Sequence, residues 1–239
     1  MAKRNFVLVP GAWMGAWSWR RVIPLLQEAG QGVYPTTLTG MGDRSHLATP
    51  KVGMETAIQD VLNALSFEDL NDVVLVGHSF AGKVVAAAAD RDPDRIRTLL
   101  FLDAIRPAKV RTPQGGMADW SEKDREDVFR ECREKGDGWK FYLSDELLGN
   151  IGSDIVGADK KWLQSKATPL PIKLFEEPVT LSGNYDRIKK AYILCTKGGD
   201  DVPAIEREGL DGEYRVLDSG HWPMISKPAE LVKAMLEIA

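Results

Sequence analysis

The stretch Val73-Val74-Leu75-Val76-Gly77-His78-Ser79-Phe80-Ala81-Gly82-Lys83 constrains the fold of this chain more than any other segment. Four apolar, mostly β-branched residues read as a short buried strand. A small-x-Ser-x-small turn follows at once, and a helical pattern follows the turn. Such a strand–turn–helix needs small residues flanking the serine, because strand and helix must approach closely while the serine hydroxyl is lifted clear of the sheet. Gly77 and Ala81 meet that need; Ala81 stands where glycine is commoner, a mild departure because alanine is still small. The same pentapeptide in a loop would carry no such meaning. Here the strand before it and the helix after it make Ser79 a candidate nucleophile.

The surrounding pattern supplies the sheet. Phe6-Val7-Leu8-Val9 reads as a buried strand ending at Pro10-Gly11, and Trp19 to Ala29 as a helix closed by Gly30. Val33-Tyr34-Pro35 starts a further strand, Leu38 to Leu47 is a Gly-rich loop, and Met54 to Leu65 is helical. Beyond the serine turn, Val84 to Asp90 is an Ala-rich helix and Arg97 to Leu102 a strand ending at Asp103. Strands spaced by helices of this length predict βαβ units and a mostly parallel, doubly wound α/β sheet. The alternation breaks between 107 and 186, where the chain is charged and rich in Trp and Pro, with a helical segment from Glu122 to Glu134. It resumes with Ala191 to Thr196, Tyr214 to Leu217 and a final helix from Pro228 to Ile238. The expected organisation is a core of residues 1–106 and 187–239 with a helical cap inserted at 107–186. A length of 239 residues suits one such domain.

A serine hydroxyl is a weak nucleophile until a base takes its proton. Only three histidines are present. His78 adjoins Ser79, but neighbouring side chains diverge at such a turn, so a packing or hydrogen-bonding role is expected. His46 lies in the Gly-rich loop and reads as structural. His221 follows the last strand and precedes the last helix, which makes it the candidate general base and acid. The residue that orients it is Asp103 or Asp200. Asp103 sits at the carboxyl end of the strand after the serine strand, where ligands and reactive groups gather in open α/β sheets. Asp200 follows Lys197-Gly198-Gly199, which makes it looser and further out. Asp103 is preferred. Developing oxyanion charge needs donors, for which the backbone N–H groups of Phe80 and of Ala12, beside Gly11, are the candidates.

Several segments resemble one family. Phe6 to Trp19, reading FVLVPGAWMGAWSW, is similar to the start of the plant methylesterase and hydroxynitrile lyase group of α/β-hydrolases. Thr37 to Leu47, Gly77 to Phe80, Phe101 to Ala104, Thr168 to Pro178 and Gly220-His221 are more similar to its bacterial branch, the pyrethroid-hydrolase-like esterases. The resemblance implies an α/β-hydrolase fold with an inserted helical cap, an esterase activity and no cofactor. Hydroxynitrile lyases of the group have Thr at the Gly11 position and Lys after the base, whereas this chain has Gly11 and Trp222; both favour the esterase side. The histidine usual before Gly11 is Pro10 here, which should leave the backbone donor in place. Plant members carry the acid near Asp200, and some related hydrolases carry it where Asp103 stands.

Seven Trp and seven Phe predict an apolar aromatic pocket for a small hydrophobic ester or carbamate. Trp13 and Trp222, adjoining the chemistry, are its best candidates. A cofactor-free lyase or oxygenase on the same fold, and a non-catalytic small-molecule receptor, are the alternatives. A net charge of −4 gives no nucleic-acid footprint, and no apolar run is long enough to span a membrane. Two distant cysteines and no signal-like N-terminus predict reduced thiols, no zinc site and a cytoplasmic location. The sequence leaves a homodimer open.

Overall fold

A computed structural model describes residues 3–107, 110–196 and 212–239. Six strands form one sheet in the order β2-β1-β3-β4-β7-β8, and every adjacent pair is parallel. The strands are β1 (Asn5–Val9), β2 (Gly32–Pro35), β3 (Val73–His78), β4 (Ile96–Leu102), β7 (Lys190–Cys195) and β8 (Glu213–Leu217). The central three are apolar runs rather than alternating patterns because helices cover both faces of a parallel sheet. One side packs Val7, Val9, Leu75, Leu99 and Phe101 against α2 (Met54–Phe67) and α3 (Ala81–Arg91). The other packs Phe6, Leu8, Val74, Val76 and Leu100 against α1 (Val22–Glu28) and the C-terminal helix Pro228–Ile238. This is the α/β-hydrolase architecture.

The chain leaves β1 toward β2 on one side and returns to β3 on the other. The carboxyl ends of β1 and β3 are therefore a topological switch point, where the loops diverge and open a crevice. Gly11 and Ser79 lie at those two ends.

Between β4 and β7 the chain builds α4 (Glu122–Lys135), α5 (Asp145–Ile151), α6 (Gly157–Lys166) and α7 (Lys173–Glu176). It also forms a two-stranded antiparallel pair, β5 (Lys140–Phe141) with β6 (Leu170–Pro171). Ser121 and Ser144 cap α4 and α5, their hydroxyls accepting from the N–H groups of Asp124 and Leu147. The sequence pattern shows only α4 here, since the other pieces are short and amphipathic in three dimensions rather than along the chain. Two further boundaries differ. The helix expected from Trp19 starts at Val22, after a 3₁₀ turn at Ala16–Trp19. The helix expected from Val84 begins at Ala81, because the serine turn feeds straight into it: the Gly82 N–H donates to the Ser79 carbonyl at 3.1 Å. Two short helices close the chain, α8 (Pro223–Ser226) and α9 (Pro228–Ile238). Among the described residues no helix is long and apolar enough to cross a membrane.

Candidate active site

Ser79 adopts φ 56°, a left-handed conformation that costs a non-glycine residue energy and recurs where a site needs a side chain aimed outward. The turn is fixed around it. The Ser79 N–H donates to the Leu102 carbonyl at 3.1 Å, and its own carbonyl accepts from Gly82 and from Ile105 at 3.0 Å. Gly77 has to be glycine for the helix to come so close: a Cβ there would lie 2.4 Å from Val85 Cγ2.

Gly11 sits against the serine. A Cβ at Gly11 would fall 2.8 Å from Ser79 Cβ and 2.7 Å from His78 Nδ1, so only glycine lets the β1 loop approach. The next N–H groups in line are those of Ala12 and Trp13. Ala12 and Phe80 are buried, at 2% and 1% exposed, and among the described residues no acceptor engages the N–H of either.

Asp103 and His221 are brought together. His221 Nδ1 donates to Asp103 Oδ2 at 2.5 Å. Asp103 is itself held: φ is 42°, its N–H donates to the Ile193 carbonyl at 2.8 Å, and Oδ1 accepts the Cys195 N–H at 3.2 Å. Aspartate tolerates the left-handed region better than most residues. The other acid considered, Asp200, lies outside the described residues. No hydrogen bond joins the Ser79 hydroxyl to His221 Nε2; pairs of this kind often tighten only once substrate is in place.

The loop of His221 is tied at three backbone points. Its N–H donates to the Ile151 carbonyl at 3.0 Å, the Gly220 N–H donates to Asp154 Oδ2 at 2.8 Å, and the His221 carbonyl accepts from His78 Nε2 at 2.7 Å. Ile151 and Asp154 carry no sequence signal; they become neighbours of His221 only through tertiary packing. His46 is exposed on the 3₁₀ turn Gly42–Leu47 and joins none of these contacts.

Trp13, with φ 64°, donates from its indole to the Phe141 carbonyl at 3.0 Å, and its carbonyl accepts the Thr168 N–H. Phe175 is the hub of an aromatic group beside it, with ring centroids 6.3 Å from Trp13, 5.7 Å from Phe80, 5.4 Å from Trp120 and 6.2 Å from Phe141. Trp222 is 1% exposed and belongs to the same buried apolar cluster as Leu148, Ile155 and Leu163, with its ring centroid 5.4 Å from that of His221. Cys132 and Cys195 are buried free thiols; burial pushes Cys132 up to about 11 and raises Cys195 further. Among the described residues no cluster of three His, Cys, Asp or Glu side chains forms a metal site.

The model of the alpha/beta hydrolase family matches residues 6–234. The chain belongs to that family. It is 32% identical over 97% of its length to a carbendazim hydrolyzing esterase of a Nocardioides species, covering 98% of that protein. It is 28% identical over 99% of its length to norfluorocurarine synthase 1 of a Strychnos species, covering 96% of it. Among solved structures it superposes with TM-score 0.85 on an extracellular α/β-hydrolase from a Paenibacillus species, described as sharing structural and functional homology with tobacco salicylic acid binding protein 2. That pair is 22% identical and aligns over 99% of both chains, a likeness of fold.

Proposed function

We propose that this protein is a serine hydrolase that cleaves a small hydrophobic ester or carbamate through an acyl-enzyme on Ser79. The observation that carries the reading is the 2.5 Å contact between His221 Nδ1 and Asp103 beside a serine held at φ 56°. With Nδ1 donating to a carboxylate, Nε2 is left as the basic nitrogen, the tautomer a general base requires. The esterase name of the bacterial relative supports the same reading.

Ser79 Oγ attacks the substrate carbonyl while its proton passes to His221 Nε2. The resulting imidazolium is stabilised by Asp103. The oxyanion is met by the N–H groups of Phe80 and Ala12, held in place by the α3 start and the Gly11 approach. Collapse expels the alcohol, which takes its proton from His221. Water, deprotonated by the same nitrogen, then releases the acid and regenerates Ser79. The aromatic group around Phe175 favours an apolar acyl or alcohol part.

The test is covalent trapping. A fluorophosphonate should label Ser79, seen as a modified Ser79 peptide by mass spectrometry. Ser79→Ala should lose both the label and the turnover of a nitrophenyl ester panel. Turnover that persists in Ser79→Ala, or a label on another residue, would overturn the proposal; tight ligand binding without turnover by the native protein would mark a receptor.

A further inference from the structure

A residue outside the serine–histidine–aspartate set, His78, ties the backbone of His221 to the strand that carries Ser79. His78 is 1% exposed, at the last position of β3, and Ser79 is the next residue. Its Nε2 lies 2.7 Å from the His221 carbonyl, and its ring packs 4.7 Å from the His221 ring. A carbonyl can only accept, so Nε2 carries the hydrogen and donates it, and Nδ1 is the unprotonated nitrogen. Nδ1 is buried without a hydrogen-bond partner and faces Gly11. One side chain thus joins all three parts of the site: it precedes the nucleophile, grips the backbone of the base and lies under the oxyanion loop.

The other two ties on the base loop come from Ile151 and Asp154, both in the segment between β4 and β7. They fix His221 to that segment. Among the described residues, the His78 bond is the one that fixes it to the strand that carries Ser79. We propose that His78 is a positioning residue: its Nε2–H···O=C bond to His221 sets the base over the Ser79 hydroxyl. The proposal rests on the serine-hydrolase reading above. Burial and the neighbouring His221 both hold the His78 imidazole well below the usual histidine range, so it stays neutral and keeps the single hydrogen this role needs. Among the described residues no other donor reaches the His221 carbonyl, so truncation should strand it and loosen the loop.

The bond also predicts which replacements work. Glutamine places an amide N–H near the Nε2 position, asparagine is too short to reach it, and leucine has no donor. The experiment compares His78→Gln, His78→Asn and His78→Leu by kcat and KM on a nitrophenyl ester, by the rate of phosphonylation of Ser79, and by thermal melting. His78→Leu and His78→Asn should lose kcat and phosphonylation rate together by roughly 10- to 100-fold, with little change in KM. His78→Gln should recover most of both. If leucine fails to fold, the glutamine–asparagine pair decides. Equal activity of Gln and Asn variants at matched melting temperature, or a loss carried by KM, would overturn the positioning role. Failure of the underlying reading looks different: Ser79→Ala would then keep its turnover in the native His78 background.

Discussion

Lys83 lies one turn into the helix that follows Ser79, is fully buried, and donates from Nζ to the Gly115 carbonyl at 2.7 Å and the Glu177 carbonyl at 2.9 Å. Burial lowers its affinity for the proton from the ordinary 10.5 to about 8, and the charges of Glu177 and Asp119 oppose that shift only in part. Between pH 8 and 10.5 the folded protein has released this proton while the unfolded chain still holds it. The unfolded state binds more protons there, so this group's contribution to stability rises with pH across that window. The slope is at most about 1.4 kcal/mol per pH unit and the total about 3 kcal/mol, with no discount for solvent screening because the group is buried. Lys83→Met keeps an unbranched apolar stem and removes the titration. Urea unfolding followed by Trp fluorescence at pH 7.5, 9 and 10.5 tests this. The stability of the native protein minus that of Lys83→Met should increase by about 3 kcal/mol over the range. The raised thiols of Cys132 and Cys195 act in the opposite direction, since they keep protons that the unfolded chain loses; they are common to both proteins and cancel in the difference. A difference that stays flat or falls with pH would refute the argument that Lys83 is charged at neutral pH at a cost in stability.

Two further outcomes follow from the site. Asp103→Asn should reduce kcat by roughly 10³- to 10⁴-fold, because a neutral amide does not stabilise an imidazolium as a carboxylate does and its NH2 can donate to Nδ1 and hold the wrong tautomer, whereas Asp200→Asn should leave kcat nearly unchanged; steady-state kinetics with the order reversed would assign the acid to Asp200. Phe175→Ala removes the ring shared by Trp13, Phe80, Trp120 and Phe141, and should cost about 3–5 kcal/mol of stability while shifting kcat/KM toward bulkier esters. An acyl-chain series with unchanged relative kcat/KM would mean that Phe175 does not face the substrate.

Much of the fold was legible because its determinants are local. Apolar runs at Phe6–Val9, Val73–Val76 and Arg97–Leu102, separated by helical patterns, define parallel βαβ units, and the strands observed extend those runs by a residue or two. The serine turn is equally local: Gly77 is dictated by contact with a helix eight residues on. The segment from 107 to 186 was legible only as a break in the pattern. Its short helices draw their stability from neighbours distant in sequence, so their periodicity is weak.

The sequence by itself determined that Ser79 stands on a strand-to-helix turn, that Gly11 opens the β1 loop, and that His221 is the one histidine after the last strand. Tertiary structure brought Asp103 to His221. Asp103 and His221 are 118 residues apart, and their 2.5 Å contact exists because β4, β7 and β8, after which His221 lies, are successive neighbours in the sheet and Asp103 is turned into the left-handed region at the end of β4. It also decided that Trp222 packs inward, that Lys83 is buried beneath two distant carbonyls, and that His78 reaches the backbone of His221. Each of these is a contact between residues far apart along the chain. Local periodicity carries no information about such pairs; the order of strands in the sheet and the close packing between layers create them.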